Sequence, residues 1–155
     1  MLKKYKITFD FSGKSSDRKI ITKITRALNE VLPFNQERSF SLAIVSSVEI
    51  KKWNLIYRGK NKVTDVLSFA ELDAKEKIPL IKSQVKDLGE IIICEEVMKQ
   101  QAKFYGWSRS QELARLLTHG LAHLCGYDHE NVSSKTALKM LELEKKILQR
   151  AGFYF

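Results

Sequence analysis

Cysteine, proline and histidine are all scarce in this chain of 155 residues. Two cysteines, Cys94 and Cys125, exclude a disulfide framework and predict reduced thiols. Two prolines, seven glycines, no internal repeat and no low-complexity stretch exclude a Pro-rich linker or a repeat array. Residues 1–155 therefore read as a single domain, long enough to bury a core. No apolar run approaches the length of a membrane span; the best is "IIIC" at 91–94. The opening "MLKKYKITFDF" is basic but has no apolar core followed by a cleavage site. These absences predict a cytoplasmic protein with no membrane attachment.

What the chain does have is positive charge. Lysine and arginine number 27 against 18 acidic residues, a net +9, and the pI is near 9.5. Such a surplus favours polyanions, nucleic acid above all, with salt-dependent binding. Lysines that merely keep the surface soluble would look the same in composition. Apolar residues at 44% and charged residues at 29% describe an ordinary globular protein.

The hydrophobic pattern predicts strands at "YKITFDF" (5–11), "RSFSLAIVS" (38–46), "TDVLSF" (64–69) and "LGEIIIC" (88–94). Helices are predicted from Asp17, as N-cap, up to Pro33, with Ile20, Ile21, Ile24, Leu28, Val31 and Leu32 on one face. A short helix capped by Ser47 and ended by Gly59 follows the second strand. Residues 95–106 form a helix closed by Gly106, and Ser108 with Gln111 resembles a capping box that opens the next. The last helix spans about 133–150, with Leu138, Leu141, Ile147 and Leu148 as its apolar side. "AELDAKEKIPLIKSQVKD", between the last two strands, reads as a polar loop. The expected fold class is α+β (α/β-like): one mixed sheet of about four strands packed with about five helices, the first two strands parallel through a right-handed crossover.

All three histidines of the chain fall within eleven residues, in "THGLAHLCGYDHEN" (118–131). His119 and His123 lie four apart on an apolar helix, so their imidazoles share one face. Gly126 ends that helix, and His129 can return as a third corner. Three imidazoles suit zinc or a similar divalent ion and leave a fourth position to water, which ionises near neutral pH when so bound. The site is thus expected at the end of the central helix. Two core histidines and one loop histidine, each hydrogen-bonded, is the bland alternative. Cys125 is either a fourth, soft ligand, which would make the metal structural, or a small buried thiol; a residue two after His123 points away from it. Asp128 either orients an imidazole or stabilises its turn. The spacing also matches the metzincin peptidases, but those need a glutamate after the first histidine as general base, and here that position is Gly120.

"HGLAHLCGYDH" resembles the H-G-x-L-H-L-x-G-Y-D-H signature of the YbeY family of bacterial rRNA maturation factors. "YRGKNKVTDVLSFA" (57–70) resembles that family's Y-R-G-x-x-x-P-T-D-V-L-S-F-P block, and "LGEIIIC" its G-D-I segment. The likeness runs from about residue 40 to 150. It implies a metal-dependent endoribonuclease directed at single-stranded RNA, acting in 3′-end maturation of small-subunit ribosomal RNA and in ribosome quality control. It implies one divalent ion on His119, His123 and His129, zinc in first place with nickel acceptable. His119, His123 and Arg58 are the implied catalytic residues, and Arg58 the RNA-binding one. The implied partners are ribosomal RNA, the small ribosomal subunit, a ribosomal protein and an assembly GTPase.

An arginine facing a metal can hold a phosphate bidentately and offset charge developing on it; alternatively Arg58 caps its own helix. Thr64, Asp65 and Ser68 are either polar groups of the site or strand-edge hydrogen bonders. Val63 and Ala70 stand where the family has prolines, Ala122 where it has leucine, and Glu90 where aspartate is common. Glu90 on an internal strand is equally consistent with a solvent-facing side chain. Two other functions stay open at this level: a non-catalytic ribosome-assembly factor with a structural metal, and a metallopeptidase-like hydrolase lacking its glutamate.

Overall fold

The structure is a computed structural model that describes residues 5–70, 85–128 and 132–155. Strand β1 (Ile7–Ser12) leads through a three-residue 3-10 turn into helix α1 (Arg18–Val31), and β2 (Glu37–Val45) returns parallel to β1. Helix α2 (Ser47–Arg58) precedes β3 (Val66–Ala70), and β4 (Val85–Cys94) follows it in the chain. Helices α3 (Glu95–Tyr105), α4 (Arg109–Leu124) and α5 (Ser134–Arg150) complete the order. The sheet runs β1-β2-β4-β3, with β4 parallel to β2 and antiparallel to β3. Among the described residues, the mixed four-stranded sheet and five helices agree with the expected α+β class.

The "IIIC" run is explained by β4's central position. Ile91 and Ile93 face a large core shared with α1, α4 and α5. Ile92 and Cys94 face the other side, against Ile50 of α2 and Leu67 of β3. A strand buried on both faces reads as continuously apolar because successive side chains alternate between two cores. Gly89, with φ +126, is required here: a Cβ would lie 2.0 Å from the carbonyl oxygen of Phe69. No other residue lets β3 approach β4 at that register, where Ala70 pairs with Gly89.

Some expectations shift. Ser46, not Ser47, caps α2, accepting from Glu49 N at 3.3 Å; the first of two adjacent serines holds the extended backbone that a cap needs. The last three residues of the expected loop, Val85 to Asp87, extend β4 instead, and its residues 71–84 lie outside the described residues. On α5 the buried stripe is Met140, Leu143, Ile147 and Leu148, while Leu138 and Leu141 are exposed. Asp17 precedes α1, yet its side chain makes no cap bond. It accepts both terminal nitrogens of Arg109, at 2.8 and 2.9 Å, and Arg109 also grips Glu95 at 2.7 and 2.8 Å. That knot joins the starts of α1, α3 and α4. The arginine's hydrogen bonds hold the Glu95 carboxyl well below the ordinary range, at about 2, against opposing desolvation.

Candidate active site

Helix α4 is the most buried helix and the one that builds the site. Its Ser108–Gln111 capping box is present, with both reciprocal bonds made. Leu113, Leu116, Leu117, Leu121 and Leu124 are buried, which leaves one stripe for polar groups. Arg115, His119 and His123, each four apart, occupy that stripe and line a cleft of about 810 Å³. The other wall comes from α2, β3 and the turn between them: Arg58, Lys60, Lys62, Thr64, Asp65 and Ser68. Buried Asn54 shapes that turn by donating to the Lys62 carbonyl at 2.9 Å.

The imidazoles of His119 and His123 lie 4.8 Å apart, near perpendicular at 85°. The Nδ1 of His119 is 2.6 Å from Glu144 Oε1 on α5. A carboxylate only accepts, so this bond is made with a proton on Nδ1, which makes Nε2 the ring nitrogen that could ligate a cation. Two imidazoles lining one cleft, one of them bonded to a carboxylate, have the donor chemistry that suits a divalent ion. His129, the third expected ligand, lies outside the described residues; among those described, no group of three His, Cys, Asp or Glu gathers for a metal. Gly126 takes φ +92, the left-handed turn expected after the helix.

Arg58 lies in the cleft and does not cap its own helix. It donates from Nη2 to the Ser68 carbonyl at 3.1 Å and sits 5.8 Å from the Phe69 ring. Gly59, at φ +68, closes α2 instead. Thr64 and Asp65 are both cleft-lining and structural: Asp65 Oδ1 accepts from Val66 N at 2.8 Å and Oδ2 from Gln101 at 3.3 Å. Ser68 contributes its carbonyl to Arg58. Asp128 also lines the cleft. Cys125 ends α4, and burial pushes its thiol up to about 11, so it stays protonated. Glu90 points to solvent.

Sequence reasoning missed two residues. Glu144 had no signal, because "LELEKK" reads as an ordinary helix surface and lies 25 residues from His119. Arg115 had one: its spacing of four from His119 sets it on the ligand stripe. Its guanidinium holds the fully buried Glu112 at 2.5 and 3.0 Å, and that bond raises the arginine further above its ordinary value. Gly120 packs against the sheet, where a Cβ would come within 3.0 Å of Ile91. The position that a peptidase would give to its glutamate thus faces the core here.

An α+β domain that sets paired imidazoles and two guanidinium groups in one cleft has the make-up of a hydrolase acting on phosphate esters. A family model described as Endoribonuclease YbeY matches residues 6–152. The chain is 38% identical over 127 residues to an Endoribonuclease YbeY of Syntrophomonas wolfei, covering 81% of each chain. It is 41% identical over 132 residues to one of Staphylococcus saprophyticus, covering 85% of this chain and 84% of the other. The solution structure of TM1509 from Thermotoga maritima is similar, with a TM-score of 0.62 at 28% identity over 94% of this chain and 88% of that one. The chain belongs to the YbeY family of endoribonucleases, which makes it a ribonuclease and implies dependence on a metal.

Proposed function

We propose that the cleft binds a single-stranded segment of small-subunit ribosomal RNA and hydrolyses one phosphodiester in it, serving 3′-end maturation and ribosome quality control. The observation that carries this reading is the sharing of one cleft by His119, His123, Arg58 and Arg115 in a chain of net charge +9. His119, His123 and His129 would hold one divalent ion, zinc first and nickel second by imidazole preference. Such an ion, when bound, supplies Lewis-acid polarisation of a phosphoryl oxygen or of the attacking water.

The chain's own groups do the rest. Lys60 and Lys62 draw the RNA backbone to the cleft mouth. Arg58 keeps its bond to the Ser68 carbonyl with one nitrogen and turns its remaining donors to the scissile phosphate, where they offset charge developing on the oxygens. Glu144 holds the proton on His119 Nδ1 and so fixes which ring nitrogen faces the cleft. Arg115, tied to Glu112, holds its charge fixed on the same wall.

The substrate would come from the small ribosomal subunit in the cytoplasm, with a ribosomal protein and an assembly GTPase as partners. Among the described residues no helix is long and apolar enough to cross a membrane. The test is a small-subunit rRNA fragment carrying an unprocessed 3′ extension, incubated with wild type and Arg58→Ala. Cleavage within the single-stranded extension, lost in the variant, supports the reading. Intact RNA that is nonetheless bound by both proteins would instead make this a non-catalytic assembly factor.

A further inference from the structure

Beside the cleft, where α3 turns into α4, four aromatic rings form a row that the core does not use. Tyr105 and Trp107 stack with centroids 4.8 Å apart and planes 21° from parallel. Phe104 meets Tyr105 edge-on at 5.0 Å, and Phe155 meets Trp107 edge-on at 4.7 Å. Phe104 is 83% exposed, Tyr105 55% and Phe155 53%. The row is held from behind by backbone. Gly106, at φ +72, reverses the chain, Trp107 N donates to the Ala102 carbonyl at 2.8 Å, and Gln111 donates to the Tyr154 carbonyl at 3.0 Å.

The row is continuous with the cleft. The Arg115 guanidinium lies 5.8 Å from the Trp107 ring and itself lines the cleft, one turn before His119. The opposite wall repeats the arrangement on a smaller scale: Arg58 lies 5.8 Å from Phe69, which continues through Tyr57 to Trp53 at centroid spacings of 5.0 and 5.5 Å. A cation in the cleft backed by a line of exposed rings suits one kind of ligand, a chain of flat bases on a phosphate backbone. Every base has a π-face, so stacking serves any sequence.

We infer that Tyr105, Trp107 and Phe155, with Phe104 at the outer end, are a stacking platform for the nucleobases of single-stranded RNA that continues beyond the cleft past Arg115. The inference rests on the reading of the cleft as an RNA site. It is tested by measuring binding of a short oligouridine and of an abasic phosphodiester chain of the same length. The proteins are wild type, Phe104→Ala, Tyr105→Ala, Trp107→Ala and Trp107→Tyr, each also assayed for cleavage of a trinucleotide too short to reach the platform.

Tyr105→Ala and Trp107→Ala should each weaken oligouridine binding about tenfold, leave the abasic chain unchanged, and cleave the trinucleotide as wild type does. Trp107→Tyr should restore the loss, and the exposure of Phe104 and Tyr105 makes those two variants safe from misfolding. Oligouridine affinity unchanged in Phe104→Ala, Tyr105→Ala and Trp107→Ala, with wild-type cleavage intact, overturns the platform alone and hands the row to a protein partner. Equal losses on both ligands overturn it as well. A wild type that neither binds nor cleaves RNA overturns the platform together with the reading beneath it.

Discussion

At the scale of single residues the site depends on two groups that act by direction. Glu144 is 2.6 Å from His119 Nδ1, so Glu144→Gln keeps the shape but replaces a charged acceptor with a weaker one. Metal affinity, read by competition with a chromophoric chelator, should fall about 10- to 100-fold, while RNA binding by the metal-stripped protein stays at the wild-type level. Unchanged metal affinity would remove Glu144 from the site. Arg58→Ala should lower kcat/KM for single-stranded RNA by about 10²- to 10³-fold, and Arg58→Lys should recover only part of it, because an ammonium cannot grip a phosphate bidentately. The histidine pair was legible from spacing alone, since four residues on a helix is a local fact. Glu144 was not legible, because a contact between α4 and α5 exists only after the helices pack.

At the scale of elements the design turns on how closely β3, β4 and α4 approach. Gly89→Ala would drive a methyl into the Phe69 carbonyl at 2.0 Å in a backbone conformation that L side chains rarely adopt. It should cost about 3 kcal/mol or more, seen as a lower urea midpoint, and should displace Arg58 through the β3 carbonyl that holds it. A wild-type midpoint would show that the strands can part without loss. The α5 stripe shows why element faces are harder to read than element existence. Leu138 and Leu141 recur at helical spacing just as Met140, Leu143, Ile147 and Leu148 do, and only burial under α1 and α4 selects between them. The Ser108 capping box and the Gly59 and Gly106 helix ends were legible because capping is chemistry between near neighbours.

At the scale of the whole molecule two electrostatic features set its behaviour. Glu95 titrates at about 2 in the fold against 4.5 as an ordinary glutamate, because Arg109 holds it. A depressed carboxylate stabilises the fold fully above its unfolded value, and that contribution disappears as pH falls. Stability should therefore fall between about pH 4.5 and pH 2 as this carboxylate takes up its proton, and Arg109→Met should flatten that part of the pH–stability curve. An unchanged acid limb in Arg109→Met would show that the knot is not what acid breaks. The net charge predicts that RNA affinity falls steeply with salt, with a log–log slope that Arg58→Ala makes shallower by about 0.7. Composition made the polyanion preference legible, but not the cleft, which needs residues from α2, β3 and α4 in one place. The most direct test of the account is cleavage of a single-stranded RNA measured alongside bound metal, in wild type, chelator-stripped protein and His119→Ala. Wild type should carry about one divalent ion per chain, His119→Ala should lose both ion and cleavage, and the stripped protein should regain cleavage when the ion is restored. Cleavage that persists at the wild-type rate in the stripped protein and in His119→Ala would contradict it.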